Sequence, residues 1–124
     1  MSTPSKRKGS QAERDVVKFL QVRGWIYAER RLAGDTNDRG DVAGVNGVCI
    51  EIKNHAKMDL AGWIKELEVE IINAKADTGV VIHKRKGKSD VAEWYATMTV
   101  ELYVELLKEA GYGEKKSTRK RTKD

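Results

Sequence analysis

Glu51, Ile52 and Lys53 follow one another at the end of an apolar run, Val48-Cys49-Ile50. On a strand, alternate residues share a face, so the carboxylate and the ammonium point the same way. Charge taken out of water without compensation is expensive. Either the strand is leaving the core for solvent at this point, or the pair is held there for chemistry.

Asp41 favours the second reading. It ends a Gly- and Asp-rich stretch and begins a segment, DVAGVNGVCIEIK, that reads as a hairpin turning at Asn46-Gly47. A two-residue turn would put Asp41 opposite Ile52 and send its side chain to the wrong face. A three-residue loop, Val45-Asn46-Gly47, with Gly47 in a left-handed bulge position, brings Asp41 opposite Glu51. The bulged loop, or an irregularity at Asp41 with the same effect, is therefore expected.

Glu13 is a third acid. It borders the apolar stripe of an N-terminal helix, where it either closes a capping box with Ser10 or aims at the site. Three acids and a lysine suit metal-assisted phosphodiester hydrolysis. Hard carboxylate oxygens bind Mg²⁺, with Mn²⁺ a substitute, and such an ion stabilises charge on phosphate and acidifies the attacking water. On this reading Asp41 and Glu51 are metal ligands, joined by the Ile52 carbonyl and, directly or through water, by Glu13. Lys53 contacts the phosphate or orients the water; the acids around it oppose the lowered pKa that a general base needs. In-line attack leaves a 5′-phosphate and a 3′-hydroxyl.

The cations around this centre form the expected nucleic-acid contacts. Arg14 follows Glu13, Arg30, Arg31 and Arg39 flank the acidic loop, and Lys84, Arg85, Lys86 and Lys88 make a basic loop. Phosphate contacts of this kind position a duplex more than they read it. Asp35 and Asp38 are secondary metal candidates, with a polar turn the plainer reading. His55 and His83 make no recognisable zinc spacing. Trp63 and Trp94 read as packing residues before base-stacking ones, and Glu66, Glu68 and Glu70 as the solvated side of a helix, although one of them could approach the metal or a partner subunit.

The elements that must position these groups follow from periodicity and caps. A helix is expected from about Gln11, capped by Ser10 and stopped at Gly24, with Ala12, Val16, Phe19 and Leu20 as its stripe. A short strand Trp25 to Arg30, the loop 31–40 and the hairpin 41–53 come next. A long helix spans about Leu60 to Lys75, with Leu60, Ile64, Leu67, Ile71 and Ala74 as its stripe and Trp63 beside it. Val80 to His83 and Glu93 to Met98 are strands, and Thr99 caps a last helix through Ala110, stopped by Gly111. This order predicts an α/β (α+β) domain, a mixed central sheet flanked by helices, with a right-handed crossover through the long helix.

The chain has 124 residues, enough for one domain with a thin stability margin. The domain is expected over 10–113, between basic tails at 1–9 and 114–124. Lys and Arg total 24 against 19 Asp and Glu, a formal charge of +5, which suits a polyanionic partner. One cysteine, Cys49, excludes an internal disulfide framework and reads as a small buried side chain. With no apolar run long enough to span a bilayer and no secretory leader pattern, an intracellular, cytoplasmic protein is expected.

The segments KRKGSQAERDVVKFLQVRGW, RGDVAGV and CIEIKN, in that order, resemble the restriction-endonuclease-like superfamily with a PD-(D/E)-x-K site, and within it the Holliday junction resolvases of archaea and of some bacteriophages. The resemblance runs from about residue 6 to about residue 105. It implies a restriction-endonuclease-like fold, a homodimer, Mg²⁺ dependence, and paired symmetric nicks in a four-way DNA junction during recombination and repair. It carries metal binding to Asp41 and Glu51, metal-site support to Glu13 and catalysis to Lys53. Gly40 departs from it, standing where the motif has proline. Three alternatives stay open: a nuclease with the same centre acting on flaps, damaged DNA or linear duplex, a non-catalytic nucleic-acid-binding protein, and a protein-interaction module whose charges only solubilise it.

Overall fold

The computed structural model describes residues 3–31 and 38–113, so Asp35 and the C-terminal stretch 114–124 lie outside the described residues. Helix α1 (Pro4–Val22) begins well before Gln11. Thr3 caps it, its hydroxyl accepting the Lys6 N–H at 3.1 Å, and Pro4 takes the first turn, where its missing N–H costs nothing. Residues 4–9, expected outside the domain, are thus helical, and Ser10 and Glu13 sit inside the helix and not at a capping box. The buried face of α1 is Ala12, Val16 and Val17.

Two short strands, β1 (Glu29–Arg30) and β2 (Val42–Ala43), pair antiparallel with each other. This corrects two expectations. Residues 25–28 are turns and not strand, and the segment after Asp41 does not form a hairpin ladder with the Glu51 strand. The turn is closed by the Val48 N–H donating to the Val45 carbonyl at 3.2 Å, with Gly47 at φ 84°. Beyond it β2 diverges toward β1.

Strand β3 (Val48–Lys53) instead pairs parallel with β4 (Thr78–His83), in a register from Val48 opposite Thr78 to Lys53 opposite His83. Helix α2 (Leu60–Ala74) is the crossover between them. It is capped by Asp59, whose carboxylate accepts the Gly62 N–H, and ended by Lys75 in the left-handed conformation. A 3₁₀ turn (Val91–Glu93) leads into β5 (Tyr95–Thr97), antiparallel to β4, which begins two residues later than expected. Helix α3 (Val100–Ala110) closes the chain between Thr99 and Gly111. The result is a mixed three-stranded sheet, β3-β4-β5, plus the β1-β2 ribbon and three helices.

The faces of β3 feed different cores. Ile50 and Ile52 pack with Ala12, Val16 and Val17 of α1, together with Ala28, Val42 and Trp94. Cys49 packs with Val81 and with Trp63 and Leu67 of α2, joined by Leu102 of α3. Trp63 and Trp94 are therefore core residues. Among the described residues, no helix is long and apolar enough to cross a membrane.

Candidate active site

Because β3 is an edge strand of its sheet, its outer side is open to another segment. The chain before β2 uses it. The Asp41 N–H donates to the Ile50 carbonyl at 2.8 Å, and the Asp41 carboxylate (Oδ2) accepts the Ile52 N–H at 2.8 Å. A side-chain oxygen thus stands where a strand partner would offer a carbonyl. This irregularity at Asp41, and not a bulged hairpin, brings it beside Glu51. Gly40 makes the approach possible. It adopts φ 96°, and a Cβ there would come within 2.8 Å of the Cys49 sulfur and 3.1 Å of the Ile50 carbonyl oxygen. Proline, fixed near φ −65°, cannot take this conformation, so the departure from the motif has a local backbone cause.

The Ile52 carbonyl faces the same side. Lys53 O accepts the Lys84 N–H from the β4 side, and Ile50 O accepts from Asp41. Carbonyls alternate along a strand, which turns that of Ile52 toward Asp41. Glu13, Asp41, Glu51, Ile52 and Lys53 all line one cavity of about 510 Å³, with Lys8, His55 and Lys57 at its margin. It lies at the carboxyl ends of the parallel strands, the usual binding edge of such sheets.

Glu51 is 5 % exposed. Its Oε2 meets Lys53 Nζ at 3.0 Å, while its Oε1 is buried without a hydrogen-bond donor. Burial raises its pKa, against the opposing help of Glu70 and Lys53. Burial and then the Glu51 charge push the Asp41 carboxyl up to about 7. Burial works against the Lys53 ammonium, but Glu66 at 2.8 Å and Glu51 outweigh it, and its pKa ends above the ordinary lysine value. A half-buried carboxylate beside a buried one, a turned carbonyl and a buried oxygen without an N–H donor fit a hard divalent cation. Its attraction would offset the burial and mutual repulsion that raise both acids.

Glu13 is held by Arg30, whose Nε and guanidinium nitrogen lie 3.0 Å from its Oε1. Arg30, expected on DNA, therefore orients a site carboxylate. Arg31 is fixed by its N–H to the Asp41 carbonyl at 2.9 Å and is half-buried. Arg39 is also half-buried, its carbonyl accepting the Cys49 thiol. Arg14 is an exposed partner of Gln11. Lys84, Arg85, Lys86 and Lys88 leave β4 beside Lys53. Lys84 lies over the Trp94 ring, Arg85 over Tyr95, and Lys88 pairs with Glu93 at 3.9 Å.

Cys49 is buried, and burial, reinforced by nearby acids, pushes its thiol up to about 12, so it is inert. His83 is buried against Thr97, with its pKa lowered by burial, and His55 rests edge-on to Trp63. The sequence reading missed Lys8 and Lys57 and misplaced Glu66 and Glu70. Glu66 holds Lys53, and Glu70 is 1 % exposed, with its carboxyl against Glu51. The signal was present: Glu66 and Glu70 fall three residues after Trp63 and Leu67, on the buried side of the helix. Comparison of the chain with protein-family models, curated proteins and solved structures gave no match.

Proposed function

We propose that the chain is a metal-dependent endodeoxyribonuclease with a PD-(D/E)-x-K centre on a small restriction-endonuclease-like sheet, acting on four-way DNA junctions as a homodimer. The observation that carries this reading is the shared cavity of Glu13, Asp41, Glu51, Ile52 and Lys53. An acidic cleft repels a polyanion unless a cation bridges them, and Lys8 and Lys57 line this one.

Asp41, Glu51 and the Ile52 carbonyl would hold Mg²⁺ or Mn²⁺, with Glu13 supporting them while Arg30 fixes its rotamer. When bound, the ion supplies charge stabilisation on the phosphate and acidifies the attacking water. Lys53 stays protonated throughout the neutral range because two carboxylates surround it. It therefore acts as a fixed positive charge on the scissile phosphate, or a donor that orients water, and not as a general base. Water oxygen bonds to phosphorus in line with the departing 3′ oxygen, whose bond to phosphorus breaks. The strand ends are a 5′-phosphate and a 3′-hydroxyl.

Cleavage of a labelled four-way junction, a flap and a linear duplex with Mg²⁺ tests this. Wild type is expected to nick the junction at paired symmetric positions. Asp41→Asn and Lys53→Ala are expected to bind it and cut at least about 10²–10³-fold more slowly, the usual loss when one electrostatic contact to a transition state is removed. Equal cutting by all three proteins removes these residues from the mechanism. Metal-independent binding without cleavage makes the chain a binding protein, and preference for flap or duplex reassigns the substrate.

A further inference from the structure

Against Glu51, outside the residues that line the Asp41 cavity apart from Glu51 itself, lies a second acidic group. Asp38, Glu66 and Glu70 each offer a carboxylate oxygen, and the three oxygens lie within 4.8 Å of one another. Oxygens bound to one ion at the usual ~2.0–2.6 Å can stand no further apart than about that distance. Glu66 and Glu70 are one helical turn apart on α2. Asp38 is tied to the same helix by its carbonyl, which accepts from Asn73 Nδ2 at 2.8 Å.

The cluster alone would be an ordinary acidic surface, since Asp38 and Glu66 reach solvent. Glu70 does not. It is 1 % exposed, its Oε1 is buried with no N–H donor, and its carboxyl lies against those of Glu51 and Asp38. The Glu51 oxygen without a donor belongs to the carboxyl that Glu70 faces. Buried oxygens of this kind need a proton or a cation.

We infer that Asp38, Glu66 and Glu70 form a second site for a hard divalent cation such as Mg²⁺, Mn²⁺ or Ca²⁺, separate from the Asp41–Glu51 site. Its existence stands on this cluster. Its bearing on cleavage rests on the nuclease reading above. Glu66 is now the 2.8 Å partner of Lys53. A cation at Glu66 competes for that carboxylate, leaving Lys53 to Glu51 and the phosphate. It also screens Glu51 from Glu70.

Mn²⁺ binding to the full chain without DNA, followed by loss of the free-ion paramagnetic resonance signal, tests the site apart from activity. Two ions per chain are expected for wild type. Asp38→Asn combined with Glu66→Gln should lose one and keep the other. Asp41→Asn should lose the complementary one. Glu70→Gln, nearly isosteric, should repeat the loss if the double variant fails to fold. An anomalous map from a Mn²⁺-soaked wild-type crystal should place a peak among the three acids.

A single ion lost in Asp41→Asn and kept in both α2 variants overturns this site and spares the nuclease centre. Two ions retained by both α2 variants also overturn it. A single ion lost in the α2 variants and indifferent to Asp41→Asn upholds this site and overturns the metal assignment at Asp41. No bound Mn²⁺ overturns both.

Discussion

Ile52 and Glu51 are neighbours on β3 and equally hidden, at 6 % and 5 % exposure. Ile52 enters an apolar cluster against α1. Glu51 faces Asp41, Lys53 and Glu70. One strand therefore carries, side by side, a position that stabilises and a position that costs stability. Apolar burial returns about 25 cal/mol per Å². A buried carboxylate beside two others returns nothing until a proton or a cation arrives. A domain this small has little stability to spare. It has spent some at the acidic end of an edge strand, which is how active sites commonly differ from the cores that carry them.

The largest expected effects separate the two kinds of position. Ile50→Ala should cost about 2–5 kcal/mol, as buried isoleucines do, measured by urea unfolding. Glu51→Gln should leave the metal-free chain as stable as wild type or more so, because it removes like-charge repulsion, while junction cleavage falls by about 10²–10³-fold. Equal destabilisation by both would show that Glu51 is a structural residue and erase the contrast.

A pH series tests the same contrast next. Glu70 is raised to about 10 and Asp41 to about 7 in the folded chain. At pH values between the ordinary carboxylate range and these, the folded chain holds protons that the unfolded chain has released. Stability of the metal-free protein must then fall as pH rises. Lys53, raised above its usual value, contributes stability that is lost only at still higher pH. The melting temperature should drop from pH 5 to pH 8, by about 4–8 °C for each kcal/mol lost. Mg²⁺ at pH 8 should recover much of it, and Glu70→Gln should flatten the slope. A metal-free melting temperature that climbs over this range contradicts the acid cluster.

A smaller effect is expected at Gly40. Gly40→Ala forces a Cβ against the Cys49 sulfur and the Ile50 carbonyl in a backbone region that favours glycine. The cost should be about 1–3 kcal/mol. Displacing Asp41 from the Ile52 N–H by about 1 Å should slow cleavage by up to about 10²-fold. Gly40→Pro, which restores the motif, should behave no better. Full activity in the proline variant would mean that the loop before Asp41 adopts another conformation.

Much of this arrangement was legible in the sequence. The Glu51–Lys53 alternation, the long helix between Asp59 and Lys75, and the last helix between Thr99 and Gly111 all follow from local rules of period and capping. The failures were non-local. Asn46-Gly47 promised a hairpin, but β3 takes its ladder from β4, across a crossover that turn chemistry cannot foresee. The Lys- and Arg-rich start of α1 has no apolar stripe because it extends beyond the core, so periodicity was silent there while Thr3-Pro4 held the cap. Glu70 was assigned to solvent because a glutamate between apolar positions is usually exposed. Its burial became interpretable only with Glu51 opposite it.

The smallest expected effect concerns Glu13, the one acid of the cavity supplied by α1. Its ion pair with Arg30 is partly exposed, with side chains 23 % and 37 % accessible. Such pairs contribute about 0.2–1 kcal/mol, so Arg30→Gln should hardly move the unfolding midpoint. A positioning role predicts something else. If Arg30 aims Glu13 at the metal site, its loss should raise the Mg²⁺ concentration needed for cleavage by about 10–100-fold, as removal of groups that orient ligands does. Junction affinity should change little, and added Mg²⁺ should restore much of the rate. A loss of junction binding with an unchanged Mg²⁺ requirement would instead return Arg30 to the phosphate-contacting role its position in the sequence first suggested.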